Sequence, residues 1–593
     1  MSKYRDFTIS QLSGDYKDKT VRISGWVHRI RDHKERFFIN VRDRDCFVQA
    51  FCEKTRNNEG LINTIKNMKL EYVVSVEGVV RLRPADQLNP DQAKGDIEIE
   101  ISSLQILNSC ENLPFEVNND EPVAENLSLK YRYLDLRRQH ILKNLKLRHE
   151  VVLYVRNFLS QRGFMEIETP LLTRSSPEGA RDFIVPSRRF RGSFYALPQS
   201  PQQYKEILMI GGIDRYFQIA RCLRDEDARA DRQIEHTQID MEMSFVEVED
   251  ILSLLEELFM SITENCTEKT VQDRPFRRIP YEEAMERYGS DKPDIRFGME
   301  LRDMTKAFQR LEVPFLKDRF ADDDFCIKGI IVPDMGQASR KDLDSYKSFL
   351  GNYRAEGMLF IADRGGDLKT SIDKFCSQEQ LKNILLNTGL KENELFLLSF
   401  GNRKHVNAGL GHLRKKFGDE LGLYNPAILG FAFIVDFPLF ELDDEGAVQP
   451  VHHMFVLPRE EDMALLDSDP LKVRGTQYDI VCNGYELCSG SLRIHEEKLQ
   501  RKIMSLIGLT REDQDSKFSS LLTALRYGAP PHGGAAPGLD RLIMVLAGTE
   551  KMRDVLAFPK TTEGKDLLMD APSPVDKKQL EELRIVLKDD EKK

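Results

Sequence analysis

Alternating apolar and polar residues characterise the first hundred positions of the chain. The alternation is clearest over residues 21–27, 37–41, 47–51 and 72–80. Successive side chains of a strand point to opposite faces, so each of these segments is typical of a strand with one buried face. Several short strands separated by glycine and charged turns predict a small closed barrel over residues 1–112.

A polar segment with prolines, residues 113–140, predicts a hinge or linker. Helical spacing follows it, because Val151, Val155 and Phe158 recur every three or four residues and Gly163 comes soon after them. This spacing predicts an amphipathic helix that ends at the glycine.

The residue pattern then changes twice. Residues 141–290 continue with strands and loops rich in Arg, Glu and Gln, whereas residues 291–424 mix helices and strands and hold few candidate catalytic groups. The strand-and-loop pattern returns over residues 425–560. One catalytic domain interrupted by an inserted α+β domain explains this better than two independent domains. Residues 561–593 are expected to form a C-terminal extension.

Composition narrows the class of protein. The 593 residues are 41% hydrophobic and 31% charged, which is typical of folded, soluble proteins. The apolar runs of the chain are far shorter than the ~20 residues that span a membrane. The N-terminus has mixed charge where a secretory signal would have an apolar core. We therefore expect a cytoplasmic protein.

Cysteine and charge add two constraints. The close pairs among the nine cysteines, Cys46/Cys52 and Cys482/Cys488, lack the C-x-x-C spacing of zinc ligands, so reduced thiols are the simpler interpretation. The net charge of −11 does not exclude a nucleic-acid partner, because phosphate binding needs only a local basic patch. Residues 22–44 supply one, with seven Lys or Arg against three Asp or Glu.

Three segments combine residue types that bind nucleotides or carboxylates. In the first, residues 221–242, Arg224 and Glu226 lie two positions apart and would share one face of a strand. The arginine can bind a phosphate through two hydrogen bonds, and Glu226 can accept hydrogen bonds from the amino group of adenine. A salt-bridged antiparallel hairpin is the alternative interpretation.

The second segment is rich in glycine and leads into Arg541 at the start of an apolar helix. Glycine permits close approach of a ligand, and a helix start suits a triphosphate, although such a segment alone is usually only a turn. The third segment contains Asp479 and Glu486, carboxylates of the kind that Mg²⁺ prefers. It also contains Arg493, a candidate partner for a substrate carboxylate. A structural ion pair is the alternative there.

Together with residues 163–170, these three segments closely resemble the motifs of class II aminoacyl-tRNA synthetases. Within that class the resemblance is to aspartyl-tRNA synthetases, which share the segments at 176–183, 195–202 and 553–560. Residues 287–294, which lead into the insertion, are similar to the bacterial type. The motifs follow the order of the family and cover nearly the whole chain, which argues against a chance match.

The resemblance implies an α+β multidomain protein. It would have an N-terminal OB-fold barrel that reads the anticodon, a class II antiparallel sheet flanked by helices, and an inserted α+β domain. Residues 163–170 correspond to the dimer-forming motif of the family, so a homodimer is implied. The implied reaction uses ATP and Mg²⁺ to join L-aspartate to the 3′-terminal adenosine of tRNA(Asp). Whether tRNA(Asn) is charged as well stays open.

The resemblance also implies roles for single residues. Arg224 and Arg541 would bind phosphates and stabilise the transition state. The residues expected to bind aspartate are Glu178, Gln202, Lys205, Arg224, Asp240, His452 and Arg493. The residues expected to bind ATP are Arg224, Asp225, Glu226, Gln233, His236, Glu486, Gly538, Leu539, Asp540 and Arg541. The Mg²⁺ ligands would be Asp479 and Glu486. The anticodon contacts would be Arg31, Phe38 and Gln49.

Two expectations concern specificity. Arg493 and Lys205 would hold the side-chain carboxylate of aspartate, and asparagine would leave both cations without a counter-charge, so no editing step is needed. In the barrel, Phe37 and Phe38 must point to opposite faces of their strand. The resemblance makes Phe38 the exposed ring that stacks on a base.

Several positions depart from the family pattern. His236 occupies the place of a phenylalanine, so an imidazole would stack on adenine and can weaken ATP binding. Cys488 and Ser489 replace part of a glycine run, and Met454 replaces a proline. None of these changes removes a catalytic group. His33 resembles the variant found in relatives that also charge the asparagine tRNA.

Two other functions stay open. An asparaginyl- or lysyl-tRNA synthetase would share the barrel and the core, although Arg493, Lys205 and the insertion argue against both. A tRNA-binding or regulatory protein could keep the fold without the activity. The presence of Arg224, Glu486 and Arg541 argues against that second alternative.

Overall fold

The computed structural model describes residues 3–175, 180–311, 313–386, 388–443 and 445–588. The chain divides into two compact units, residues 1–142 and 143–593. Within the described ranges, no helix has both the length and the apolar character that crossing a membrane requires. All nine cysteines are free thiols, as expected.

The first unit is built around a five-stranded barrel. Its elements are β1 Thr20–Asp32, β2 Arg36–Arg42, β3 Phe47–Glu53, α1 Glu59–Asn67, β4 Val73–Leu82, β5 Ile97–Asn108, α2 Glu125–Lys130 and α3 Arg132–Asp135. The strands pair in the order β1-β2-β3-β5-β4, and β4 returns to β1 to close the barrel. The four predicted strand segments fall on β1 to β4. The helix α1 and the strand β5 were not predicted individually.

Alternation in these strands has the expected physical result. Val21, Ile23 and Val27 of β1 lie in the barrel core, together with Phe37 and Ile39 of β2. The residues between them face outward, where charged side chains remain hydrated.

The second unit begins within α4 and holds the first part of a large sheet. The elements up to residue 288 are α4 Gln139–Gln161, β6 Met165–Glu166, β7 Ile184–Pro186, β8 Phe194–Ala196, α5 Gln202–Ile210, β9 Arg215–Leu223, β10 Glu235–Ser244, α6 Val248–Cys266, β11 Thr270–Val271, β12 Arg277–Pro280 and α7 Tyr281–Tyr288. The predicted amphipathic helix is α4, which buries Val151, Val155 and Phe158. Gly163 follows it with a positive φ of 81°, a conformation that glycine adopts without strain.

A separate five-stranded sheet occupies the middle of the sequence. Its elements are β13 Arg302–Asp303, α8 Thr305–Gln309, β14 Phe325–Val332, α9 Arg340–Gly351, β15 Gly357–Asp363, β16 Leu368–Thr370, α10 Gln378–Leu385, β17 Leu395–Asn402 and α11 Arg403–Glu420. The strand order is β13-β14-β17-β15-β16. Each face has its own core, because Phe325 and Ile327 pack on one side of β14 and Cys326 and Val332 on the other.

The remaining elements complete the large sheet. They are β18 Ile428–Leu429, β19 Phe431–Val435, β20 Phe440–Leu442, β21 Val448–Pro450, α12 Leu465–Ser468, β22 Tyr478–Cys482, β23 Tyr485–Leu492, α13 Glu497–Leu506, α14 Arg511–Lys517, α15 Ser519–Ala524, β24 His532–Ala535, α16 Leu539–Ala547 and α17 Lys577–Leu583. The eight strands lie in the order β12-β19-β22-β23-β24-β10-β9-β6. Only the two end pairs, β12 with β19 and β6 with β9, are parallel.

The two faces of this sheet have different characters. On β10, Ile239, Met241 and Met243 pack against apolar residues of α4, α6 and α16 in the largest core cluster. The residues that alternate with them, Asp240 and Glu242, point to the other face and are nevertheless buried. A polar and buried sheet face is the unusual feature of this fold, because charged groups are seldom buried without partners.

Candidate active site

A cavity of about 570 Å³ opens on the polar face of the large sheet. It brings together most of the residues that the sequence singled out. The predicted residues that line it are Gln202, Lys205, Arg224, Glu226, Gln233, His236, Asp240, His452, Glu486, Arg493, Gly538, Asp540 and Arg541. Asp225, Leu539 and Asp479 are not among its lining residues. Glu178 lies outside the described residues.

The predicted strand position of Arg224 and Glu226 is wrong. Strand β9 ends at Leu223, and the backbone N–H of Glu226 donates to the carbonyl oxygen of Arg224 at 3.0 Å. The chain therefore turns tightly at this point, and no strand aligns the two side chains. The carboxylate of Glu226 forms an ion pair with Arg232 at 2.7 Å, so an adenine amino group would have to share it.

Two other predicted ATP ligands have side chains that serve the fold. Leu539 is packed in the largest core cluster. Asp540 is buried, and its Oδ2 accepts a hydrogen bond from the backbone N–H of Thr237 at 2.8 Å, while its Oδ1 accepts one from Arg148. These carboxylate bonds hold α16 against β10, so the side chains of Leu539 and Asp540 have structural partners already.

One part of the cavity is formed by a buried set of charges. Lys205, on α5, has its Nζ 2.8 Å from Asp240 Oδ1 and 3.3 Å from Glu242 Oε2. On the opposite side, Arg493 Nε donates to Glu242 Oε1 at 2.9 Å. The set therefore holds two cations and two carboxylates and is balanced internally. This corrects the expectation that Lys205 and Arg493 depend on a substrate carboxylate for their counter-charge.

The guanidinium of Arg493 is also more fully engaged than the sequence indicated. Nε and Nη2 form the two-pronged contact with Glu242, at 2.9 and 3.3 Å. Nη1 donates to Ser491 Oγ at 2.7 Å and lies 3.1 Å from His453 Nε2, and Nη2 is 3.4 Å from Gly534 O. An arginine has five N–H groups, and each faces an internal partner. A substrate carboxylate would bind by replacing one of the weaker of these contacts.

The charges of this set stabilise one another. Burial alone would lower the pKa of Lys205, but Asp240 and Glu242 raise it above the ordinary value. Burial would raise the pKa of Glu242, but Arg493 and Lys205 lower it below the ordinary value. For Asp240, burial prevails over Lys205 and its pKa is raised. Mutual pairing of this kind is what makes buried charges tolerable.

The candidate metal ligands share a face because of a β-bulge. Asp479 on β22 pairs with Ser489 on β23, but Val481 pairs with Glu486, so β23 has one extra residue between them. The bulge turns Glu486 to the face of Asp479, as bulges commonly re-aim side chains beside active sites. Burial and then the charge of Asp479 raise the pKa of Glu486.

His452 lies next to Asp479 and lines the cavity. Its Nε2 lies 3.7 Å from Asp479 Oδ2. Burial would lower the pKa of His452, but the hydrogen bond and charge of Asp479 raise it above the ordinary value. Among the described residues, no group of three or more His, Cys, Asp or Glu side chains is arranged to hold a metal ion, so a cation here would need further ligands from a substrate or water.

Two arginines supply positive charge in another part of the cavity. Arg541 Nη1 donates to the carbonyl oxygen of Glu486 at 2.6 Å, and its Nη2 is 3.4 Å from Asp231 Oδ2. The Nε atoms of Arg224 and Arg541 are buried and have no hydrogen-bond partner within the described residues. Buried donors without partners are uncommon and indicate a place for a ligand.

His236 lies between these arginines and is uncharged. Burial lowers its pKa to about 3, and the charges of Arg224 and Arg221 act in the same direction. A neutral imidazole can stack on an aromatic base without bringing another positive charge next to the arginines.

The barrel carries a second group of predicted contacts. Phe38 is half-buried and Phe37 is in the core, so the predicted orientation of the pair is confirmed. The guanidinium of Arg31 lies 5.5 Å from the centre of the Phe38 ring and donates to Gln49 Oε1. Gln49 Nε2 in turn donates to Glu98 Oε2 at 2.8 Å. His33 contacts Phe38 edge to face, with ring centres 5.4 Å apart.

Four residues of this charged region were not predicted from the sequence: the buried Glu206, Glu242 and His532, and the half-buried His453. Glu242 could have been found, because it follows Asp240 by two positions on a predicted strand and must share its face. Glu206 lies one residue after the predicted Lys205, whereas His532 comes from a distant part of the chain and has no local signal.

Comparisons with known proteins agree with this geometry. Residues 124–562 match the family model of class II tRNA synthetases (D, K and N). Residues 21–107 match the OB-fold nucleic acid binding domain. The fold is thus a class II synthetase core preceded by an OB-fold domain, and the chain belongs to the class II tRNA synthetases of the D, K and N group.

Several relatives are similar over nearly their whole length. An aspartate–tRNA(Asp/Asn) ligase of Rubrobacter xylanophilus is 46% identical over 585 residues, which cover 98% of this chain and 97% of that protein. The ligases of the same name from Chlamydia caviae and Dictyoglomus turgidum are each 45% identical; the matches cover 98% and 99% of this chain and 99% of either relative.

Solved structures show the same fold at lower identity. A putative aspartyl-tRNA synthetase from Leishmania major superposes with a TM-score of 0.60 and 20% identity, covering 94% of both chains. The asparaginyl-tRNA synthetase of Pyrococcus horikoshii gives a TM-score of 0.59 and 17% identity, covering 94% of this chain and 98% of that one.

Proposed function

We propose that this chain activates L-aspartate with ATP and transfers it to the 3′-terminal adenosine of tRNA(Asp). The buried set of Lys205, Arg493, Asp240 and Glu242, open to a cavity that also holds Arg224, is the observation that carries the proposal. Cations and carboxylates alternate in it, which suits a substrate that itself has an ammonium group and two carboxylates. The names of the relatives, aspartate–tRNA(Asp/Asn) ligases, support the same substrate.

Recognition of aspartate would use both signs of charge. Lys205 has three N–H donors, of which Asp240 and Glu242 account for two. The third can donate to the side-chain carboxylate, and Arg493 can exchange its 3.4 Å contact with Gly534 for a second hydrogen bond to that group. The side-chain NH₂ group of asparagine would face these N–H donors with donors of its own. Polar mismatches of this kind can discriminate between two substrates by a factor of about 10⁴ to 10⁵.

The chemistry needs positioning and charge stabilisation more than a protein nucleophile. The α-carboxylate of aspartate attacks the α-phosphate of ATP, giving aspartyl-adenylate and pyrophosphate. The free donors of Arg224 and Arg541 would stabilise the charge that develops on the phosphate oxygens. Transfer follows when the ribose 3′-OH of the terminal adenosine attacks the carbonyl carbon and releases AMP. Orientation in a closed site accounts for much of the rate.

Asp479 and Glu486 fit a Mg²⁺ ion that shares phosphate ligands. The bulge turns both carboxylates to one face, and burial together with the charge of Asp479 raises the pKa of Glu486, a cost of charge that a divalent cation would offset. Two protein carboxylates are a usual complement for Mg²⁺, which takes its other ligands from phosphates and water. When bound, the ion would neutralise charge on the phosphates.

A homodimer is proposed from the surface around β6. Met165 on that strand and Leu171 and Leu172 just after it are each more than half exposed, as is Leu153 on α4. A contiguous apolar surface is typical of an interface between protein chains, and residues 163–170 are the segment that resembles the dimer-forming motif.

The barrel would bind the anticodon through Phe38, Arg31 and Gln49. A half-exposed aromatic ring under an arginine is a suitable surface for an unpaired base. His33, in contact with Phe38, lies where the choice between tRNA(Asp) and tRNA(Asn) would be made.

Aminoacylation with labelled aspartate, ATP and each purified tRNA tests this proposal. Charging of tRNA(Asp) is expected. Charging of tRNA(Asn) as well would extend the function to both tRNAs, as the names of the relatives print it. If the folded protein charges neither tRNA, the proposal is wrong and the alternative of a tRNA-binding protein without activity gains support.

A further inference from the structure

Helix α5 carries a buried glutamate that has no part in the proposed reaction. Gln202, Lys205 and Glu206 lie on one buried face of this helix, because residues three and four positions apart are neighbours. Gln202 lines the cavity, whereas Glu206 is fully buried and does not line it. Gln202 Nε2 donates a hydrogen bond to Glu206 Oε1 at 2.7 Å.

His532, at the start of β24, lies on the other side of Glu206. Its Nδ1 is 2.8 Å from the carbonyl oxygen of Pro530, and its Nε2 is 3.7 Å from Glu206 Oε2. A carbonyl oxygen only accepts hydrogen bonds, so Nδ1 carries a proton. Nε2 faces a carboxylate, which favours a second proton on the ring. Burial would lower the pKa of His532, but Glu206 raises it above the ordinary value.

A second proton on the ring places positive charge beside this buried carboxylate, where an unpaired one would be costly. An ionised carboxylate has no proton and can only accept hydrogen bonds. Gln202 must therefore direct its NH₂ group toward Glu206. The amide is planar, so its Oε1 is directed away from Glu206, and Gln202 is a residue that lines the cavity.

We propose that Glu206 and His532 are positioning residues that fix the carbonyl oxygen of Gln202 as an acceptor for the α-ammonium group of aspartate. The inference rests on the proposed function. An ammonium group has only donors, so an amide turned the other way would place its NH₂ donors against the donors of the ammonium group. Within this chain, the carboxylate of Glu206 is the group that excludes the wrong orientation.

The test uses the Glu206→Gln variant in aspartate-dependent ATP–pyrophosphate exchange. Glutamine keeps the shape of the side chain but can offer either a donor or an acceptor to Gln202, so the orientation is lost. We expect the KM for aspartate to rise about tenfold or more, the value of a hydrogen bond to a charged group. The KM for ATP should not change. Glu282→Gln, at an exposed position of α7, is the matched control.

Succinate separates positioning from general damage. It has the two carboxylates of aspartate but no ammonium group, so its inhibition constant should be the same in the parent chain and in Glu206→Gln. An equal loss for succinate and aspartate would overturn the proposal, because it would mean that the whole pocket is disturbed. An unchanged KM for aspartate would overturn it as well.

A second variant covers the case in which Glu206→Gln does not fold. His532→Gln keeps a polar side chain next to Glu206 but removes the positive charge, and it should raise the KM for aspartate without changing the inhibition constant of succinate. In the Gln202→Ala background, Glu206→Gln should have no further effect on aspartate. If the parent chain shows no aspartate-dependent exchange, the proposed function fails first, and the two failures are thereby distinguished.

Discussion

Gly534 lies directly opposite Glu242 across the pair of strands β10 and β24. A methyl group at position 534 would be 2.1 Å from the carbonyl oxygen of Met241 and 2.3 Å from Glu242 Oε2. Both distances are far below van der Waals contact. The absence of a side chain at Gly534 is therefore what allows Glu242 to lie flat on the sheet and reach both Lys205 and Arg493.

The variant Gly534→Ala should consequently damage the buried set of charges in the cavity. Overpacking of this kind typically costs about 1–3 kcal/mol, so kcat/KM for aspartate in pyrophosphate exchange should fall about 5- to 150-fold. Gly298→Ala is the matched control, because a methyl group there would meet nothing within 4 Å. Equal activity of the two variants would show that Glu242 can move without consequence.

His236 should make the folded chain sensitive to acid. An unfolded histidine binds its proton near pH 6.5, whereas His236 in the fold does so only near pH 3. As the pH falls below about 7, the unfolded state gains a proton that the folded state does not, so stability decreases. The lowered pKa of His236 therefore reduces the stability of the fold as the pH falls from about 7 to about 3.

Replacement of His236 by Phe should reduce this sensitivity. The melting temperature should fall less between pH 7.5 and 5 in the variant than in the parent chain, by about a few degrees. His236→Asn removes the same titrating group without adding an aromatic ring, so its melting temperature should show the same reduced dependence on pH. A fall as large as that of the parent chain in both variants would show that His236 is protonated in the fold.

Phe38 should contribute to tRNA binding but not to the activation of aspartate. Loss of one stacked base costs about 1–3 kcal/mol, so Phe38→Ala should lower kcat/KM for the tRNA about 5- to 150-fold. Pyrophosphate exchange, which needs no tRNA, should stay at the parent rate. Leu82→Ala, at an exposed position of the same barrel, is the control, and a loss as large in that variant would contradict a specific role for Phe38.

The exposed leucines after β6 should be covered in solution. Leu172→Asp places a charge in the proposed interface, where it would have no partner, and should convert the dimer to monomers in sedimentation velocity. Leu386→Asp, whose parent residue is more exposed and lies outside that surface, should stay dimeric. A parent chain that sediments as a monomer would remove the proposed dimer altogether.

Sequence patterns predicted the fold best where a local rule applied. Strands β1 to β4 follow from alternation, and α4 follows from its helical spacing and Gly163. The placement of Arg224 after β9 could not be predicted in this way, because a tight turn leaves no period to follow. The bulge in β23 could not be predicted either. The adjacent residues Leu487 and Cys488 both face the apolar core, so the strand does not alternate there.

The sequence predicted which residues form the site but not the hydrogen bonds and ion pairs between them. Lys205, Asp240 and Arg493 were singled out individually, yet their mutual pairing through Glu242 arises only when α5, β10 and β23 meet. For the same reason, the full engagement of Arg493 could not be deduced from residue types. Long-range pairing of charges has no signature in a single sequence.

Amino-acid-dependent ATP–pyrophosphate exchange by the full chain tests the central claim most directly, because it isolates the activation step from any tRNA. With ATP and Mg²⁺ present, aspartate should support exchange, while asparagine and lysine should support none above background. Exchange with asparagine at a rate comparable to that with aspartate would contradict the assignment of the buried charges as an aspartate site.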